Sequence, residues 1–151
     1  MIKTTNESAA RGSGTLANRL RPVLLRLARE LRREIHTLGV TSGQVTLLVQ
    51  IKRNPGITAS ELAERERISA PGMSGHISRL ETATLIERTR ATDRRRIGLT
   101  LTPAGEQVLE DVRRKRTAWL SEHLKGLSPE ERDTIEAALP ALEKLLEAPT
   151  K

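Results

Sequence analysis

Apolar residues recur at three- and four-residue steps from Leu16 through Leu20, Val23, Leu24, Leu27, Leu31 and Ile35 to Leu38. Arg19, Arg26, Arg29, Arg32 and Arg33 lie mostly off that stripe. Such a period predicts a long amphipathic helix, and Gly39 is its stop signal. Thr41-Ser42 then caps a second helix to about Lys52, burying Val45, Leu48 and Val49, and Asn54-Pro55-Gly56 ends it in a turn. Thr58-Ala59-Ser60-Glu61 has the form of a capping box opening a helix that buries Leu62 and Ala63. Arg65-Glu66-Arg67 connects it to the next helix. Ser69 caps that helix, and Pro71 fits its first turn because the missing N–H has no partner there anyway. Met73, Ile77 and Leu80 form its apolar stripe, while Gly72, Ser74, Gly75, His76 and Arg79 lie largely off it.

The period then changes. Residues 85–89 and Ile97–Leu101 read as two short strands, the second alternating Ile97, Leu99 and Leu101 with Gly98 and Thr100, as a half-buried strand does. Between them the tip Asp93-Arg94-Arg95-Arg96 carries three consecutive arginines. Thr102-Pro103 starts a long helix with Val108, Leu109, Val112, Trp119 and Leu120 on its inner side. Ser128-Pro129-Glu130-Glu131 caps a last helix bearing Ile135, Leu139, Leu142, Leu145 and Leu146, which Pro140 is expected to kink. The resulting class is mainly α (α+β). A helix pair followed by a cationic hairpin suits duplex DNA, one helix reading base edges and the hairpin an adjacent minor groove.

Charge sharpens this reading. The chain of 151 residues has a net charge of +7 and a pI near 10.7, which favours a polyanionic partner. Residues 88–96 hold Arg88, Arg90, Arg94, Arg95 and Arg96 against Asp93 alone. Residues 128–147 carry Glu130, Glu131, Asp133, Glu136, Glu143 and Glu147 against Arg132 and Lys144. Trp119 is the sole aromatic side chain. Single-strand and RNA modules stack bases on exposed aromatics, so their scarcity favours duplex DNA.

No cysteine is present, which excludes disulfides, thiolate zinc sites and thiol sensing. No apolar run approaches the roughly 18–20 residues of a membrane span. The opening MIKTTNESAARGSG lacks the apolar core of a signal peptide and reads as a disordered tail over residues 1–14. A soluble, cytoplasmic protein with no membrane partner is expected.

In order and spacing, these parts resemble the MarR family of winged helix-turn-helix transcription regulators over residues 16–147. The matching stretches are ITASELAERERIS, the proline in the first turn of the next helix, ISRLETATLIER, the Asp-x-Arg signature at Asp93-Arg94-Arg95, and the LTLTPAG exit into a long helix. The resemblance implies a dimerisation helix over 15–40, a winged helix-turn-helix DNA-binding domain over 41–102 and C-terminal dimerisation helices over 103–148. It makes Ala70–Thr82 the recognition helix, with Ser69, Gly72, Ser74, Gly75 and His76 as candidates for base or phosphate contact. Arg79 then contacts phosphate or braces the helix. Residues 85–101 become the wing. Arg95 matches the family's minor-groove arginine and Asp93 the acid that holds it, while Arg88, Arg90, Arg94 and Arg96 are expected to neutralise phosphates. Gly72 and Gly75 depart from the family's larger polar residues, and each costs a helix about 1 kcal/mol relative to alanine.

The resemblance also implies a homodimer on a pseudo-palindromic operator, a repressor that responds to a small-molecule effector. Independently, the apolar stripes on the first and last helices exceed what a winged domain of roughly 50 residues can cover, and symmetric dimers are the commonest oligomer. The alternative is a winged-helix protein-interaction module that has lost specific DNA binding. His36 and Trp119 are candidates for an effector pocket. Arg113-Arg114-Lys115-Arg116 is a solvated helix surface, a backbone contact or a partner for the acidic 130–136 segment. His36, His76 and His123 share no metal-ligand spacing, and no catalytic motif is present, so no cofactor, metal or enzymatic activity is expected.

Overall fold

A computed structural model of the chain describes residues 3–90 and 96–147, with side chains from Gly12 onward. Helix α1 runs Lys3–Glu34 and is followed by a single 3-10 turn, His36–Leu38, that Gly39 closes at φ 72°. Then come α2 (Ser42–Arg53), α3 (Ala59–Glu66), α4 (Ala70–Thr82), β1 (Ile86–Arg90), β2 (Ile97–Leu101), α5 (Pro103–Lys125) and α6 (Pro129–Glu147). Helical backbone therefore reaches back to Lys3, where a disordered tail is expected. That stretch holds no proline, and Gly12 and Gly14, each costing about 1 kcal/mol, do not by themselves end a helix. Pro22 and Pro140 each lie inside a helix without ending it.

Side-chain caps set the helix starts. Thr41 with Gln44, and Thr58 with Glu61, form reciprocal capping boxes. Ser69 Oγ accepts from Gly72 N, and Thr102 Oγ1 accepts from Gly105 N. Ser128 and Glu131 exchange the same pair of bonds ahead of α6. Each cap satisfies N–H groups that the helix itself leaves unpaired, worth about 1 kcal/mol apiece.

The core lies in the lobe built from α2, α3, α4 and the hairpin. Leu48, Ile51, Leu62, Met73, Ile77, Leu80 and Leu99 are fully buried there, with Ile35 entering from the end of α1 and Val112 from α5. Fully burying each such side chain is worth about 1.5–3 kcal/mol. Leu47 is buried too, and Val49 only half-buried, one step round α2 from the expected face. Trp119 is half-buried and Leu120 exposed, because α5 leaves the lobe beyond Val112.

The hairpin is antiparallel, pairing Ile86 with Leu101 through Arg90 with Ile97. β1 begins one residue later than expected. Leu85 instead belongs to the turn, its N–H bonded to the Leu80 carbonyl and its own carbonyl accepting from Thr102 N. On its other edge β2 bridges Ile57: Leu99 N donates to Ile57 O at 2.8 Å, and Gly56 N donates to Leu99 O at 2.9 Å. The expected inward Ile97 is 54% exposed. It stands on the stretch of hairpin beyond the lobe, while Gly98 is buried against the turn at Gly56. Among the described residues no helix is long and apolar enough to cross a membrane.

Two glycines are dictated by close approach. A Cβ at Gly98 would lie 2.5 Å from the Gly56 carbonyl oxygen, and one at Gly105 would overlap the Leu85 carbonyl oxygen. Gly98→Ala and Gly105→Ala are each expected to cost about 1–3 kcal/mol, as overpacking does. Gly75 meets nothing within 4 Å, so Gly75→Ala is expected to gain up to about 1 kcal/mol from helix propensity. Urea unfolding midpoints at constant slope will order the three variants.

Several exposed carboxyl groups are held below their ordinary values: Glu61 chiefly by the Thr58 backbone N–H, Glu110 by Arg113, Glu130 by its own backbone N–H, and Asp111 by the Gln107 side chain. A carboxyl depressed in the folded state contributes stability that is complete above its unfolded value, 4.5 for Glu and 3.8 for Asp. That contribution disappears as pH falls through the lower folded value. Stability is therefore expected to decline on the acid side of that range, and a urea midpoint that stays constant there would contradict it.

Candidate nucleic-acid interface

Helix α4 presents two unlike faces. Met73, Ile77 and Leu80 point into the core, while Ser74, Ser78 and Arg79 are exposed and Gly75 and His76 half-buried. The outer face is thus polar and low-relief, since Gly75 adds no side chain where space is open. Gly72 differs from Gly75. Its missing Cβ would sit 3.0 Å from Ser69 Oγ and 3.2 Å from Ile68 Cγ2. Helical Cβ atoms tilt toward the N-terminus, so a side chain at Gly72 would press on the cap rather than extend outward. A larger side chain at this position is therefore not placed for an outward contact.

Ser69 is extended, at φ −62° and ψ 150°, with its hydroxyl engaged as the cap of α4. Arg79 Nη2 lies 3.0 Å from His76 Nδ1. A guanidinium only donates, so Nδ1 is the acceptor in this hydrogen bond. His76 and Arg79 thus act as a joined pair on one turn of helix.

The hairpin rises beside this helix. Arg88 reaches back to Glu81 near the end of α4, with both Nε and Nη2 2.9 Å from the same carboxylate oxygen. Arg96 pairs with Glu61 on α3. Arg90 is exposed at the far end of β1. Asp93, Arg94 and Arg95 lie outside the described residues. Glu61 and Glu81 are participants that pattern reading did not single out. Glu61 was legible as a capping-box residue, but nothing in the local sequence signals its second partner, 35 residues away. Glu81 and Arg88 are seven apart across a turn and carry no periodic signal.

The effector candidates separate. Trp119 stacks on His123, ring centroids 3.8 Å apart, beside a cavity of about 420 Å³ that Val23, Arg26, Leu27 and Glu30 also line. His36 is exposed in the 3-10 turn and does not line that cavity. A larger crevice, about 970 Å³, opens between α2 and α5, with Val45, Val49, Leu109, Arg113 and Arg116 among its walls. Lys52 of α2 and Glu106 of α5 close one part of it with a 2.6 Å ion pair. Arg113 and Arg114 pair with Glu110 and Asp111 on their own helix, one turn away, rather than with the acidic segment of α6. Among the described residues no group of three or more His, Asp or Glu is placed to hold a metal.

The sequence profile of the MarR family matches residues 38–97, from the 3-10 turn through the start of β2. An uncharacterized HTH-type transcriptional regulator of Mycobacterium bovis is 30% identical over 124 residues, 82% of this chain and 87% of that protein. The HTH-type transcriptional repressor MdtR of Bacillus subtilis is 33% identical, over 74% of this chain and 73% of the repressor. A crystal structure described as a transcriptional regulator protein from Pseudomonas aeruginosa superposes with a TM-score of 0.77 at 30% identity, covering 93% of this chain and 99% of the other. Element order, hairpin register and these likenesses agree, and the chain belongs to the MarR family of winged helix-turn-helix transcriptional regulators.

Proposed function

We propose that this protein is a sequence-specific repressor that binds double-stranded DNA as a homodimer on a pseudo-palindromic operator and releases it in response to a small-molecule effector. The observation that carries this reading is the polar outer face of α4 standing beside a hairpin that bears Arg88, Arg90 and Arg96. Ser74, Gly75, His76 and Arg79 face the major groove, Gly75 letting the helix backbone approach closely. Ser69 caps α4 and Gly72 lies in its first turn, where the positive end of the helix dipole favours a phosphate. Arg95, oriented by Asp93, enters the minor groove, and Arg90 and Arg94 meet phosphates.

Dimerisation is supported by apolar side chains with nothing over them. Leu16, Val23, Leu24, Leu25 and Leu27 on α1, and Ile135, Leu139, Leu145 and Leu146 on α6, are 40–88% exposed. No described residue of α6 is buried. A two-fold pairing of these helices covers both faces and sets two α4 helices to successive major grooves, about 34–36 Å apart. The crevice between α2 and α5 joins the DNA-binding lobe to a dimerisation helix. An acid held there by Arg113 or Arg116 would change the spacing of the lobes, as release requires.

Pull-down of genomic fragments followed by sequencing is expected to enrich one palindrome. Uniform background would favour a docking module for an acidic partner instead. On the enriched duplex, Arg95→Ala is expected to weaken specific binding far more than nonspecific binding. Arg94→Ala should weaken both alike and lower the slope of log K against log salt by roughly one, since each phosphate contact contributes about −0.9. His76→Ala is expected to alter site preference, and an unchanged preference and affinity in the same anisotropy series would remove His76 from the reading face.

A further inference from the structure

Two arginines of the hairpin are already engaged in the free protein, and their partners sit on different helices. Arg88, on β1, is held by Glu81 near the end of α4 at 2.9 Å. Arg96, immediately before β2, is held by Glu61 in the first turn of α3. Glu61 divides its oxygens: Oε2 accepts from Thr58 N at 3.0 Å to complete the capping box, and Oε1 receives Arg96. The same carboxylate therefore starts α3 and anchors the wing.

A two-stranded hairpin is marginal by itself in water. Here the lobe supports β2 as far as Leu99 and Gly98, through Ile57 and Gly56. Beyond that point Ile97 is exposed, and no described residue of the hairpin joins the core. Arg96 attaches beyond that point, immediately before β2, while Arg88 attaches on β1 opposite Leu99, the last level that the backbone at Ile57 supports. Two attachments to two helices resist both rotation and splaying, which one attachment cannot do.

From this geometry, and resting on the DNA-binding reading above, we infer that Arg88 and Arg96 are positioning residues that brace the wing against α4 and α3 rather than phosphate contacts. Glu81 and Glu61 are their essential counterparts. This revises the expectation that both arginines neutralise phosphates. Minor-groove insertion by the tip then depends on acids that lie in the helix-turn-helix and never touch DNA.

The test uses full-length protein and the conservative variants Glu61→Gln, Glu81→Gln, Arg96→Gln and Arg88→Gln. Glutamine at position 61 preserves the capping box, which accepts Glu or Gln at that position, so α3 stays intact. In the free protein each variant is expected to speed amide hydrogen exchange in β1 and β2 several-fold while leaving α5 unchanged. On the enriched duplex each should lose roughly three- to fivefold in affinity, the scale of an exposed ion pair, with the salt slope unchanged. The paired reversal Glu81→Arg with Arg88→Glu should restore exchange and affinity.

Hairpin exchange unaffected by Glu61→Gln and Glu81→Gln would overturn the brace. So would a salt slope that falls by about one in Arg96→Gln or Arg88→Gln, the mark of a phosphate contact. Tighter binding by the glutamate variants would also overturn it, by showing that the acids compete with DNA. If no genomic duplex is enriched, the DNA-binding reading fails, while the exchange measurement still decides the brace.

Discussion

The winged lobe depends on how strand β2 is seated. Leu99 is paired on one side with β1 and on the other with the backbone at Ile57, and its side chain is buried in the core. Two glycine-dependent approaches keep that seat narrow. Gly98 lies on the turn at Gly56, and Gly105, in the first turn of α5, lies on the Leu85 carbonyl. Because the strand is held along its inner half only, the outer half projects as a wing. The height at which it leaves the lobe follows from where the glycine contacts stop.

Electrostatics then acts on what packing leaves free. The chain carries a large positive excess, yet two arginines of the hairpin are matched individually with carboxylates: Arg88 with Glu81 on α4, Arg96 with Glu61 on α3. Each pair is exposed and weak by itself. Their value lies in placement, since they join the hairpin to two different helices. Arg79 is bonded to His76 within its own helix, so the outer surface of α4 is organised by hydrogen bonds as well as by helical periodicity.

The molecule divides into a lobe with a closed core and helices whose apolar faces are open. Among described residues, fully buried side chains are confined to the lobe and Ile35. The outer helices α1 and α6 retain large exposed apolar side chains that a solvated surface would not select in such a row. Those open faces are the surfaces that the proposed two-fold pairing would cover.

Local signals in the chain were enough for the element order. Caps at Thr41, Thr58, Ser69, Thr102 and Ser128, stripes at Met73-Ile77-Leu80, and the cationic tip all act within a few residues, where backbone and side chain meet directly. The helical start at Lys3, the exposure of Ile97 and the inward turn of Gly72 were not legible in the same way. Each depends on what lies opposite, or on where a packed layer ends. By itself, then, the sequence determined the helices, the hairpin and the family likeness, because periodicity and capping are short-range. Tertiary structure alone decided that Glu61 meets Arg96, that Glu81 meets Arg88, and that Gly98 and Gly105 must lack side chains. Those relations join residues distant along the chain, and only folding sets the distances on which charge and steric contact act.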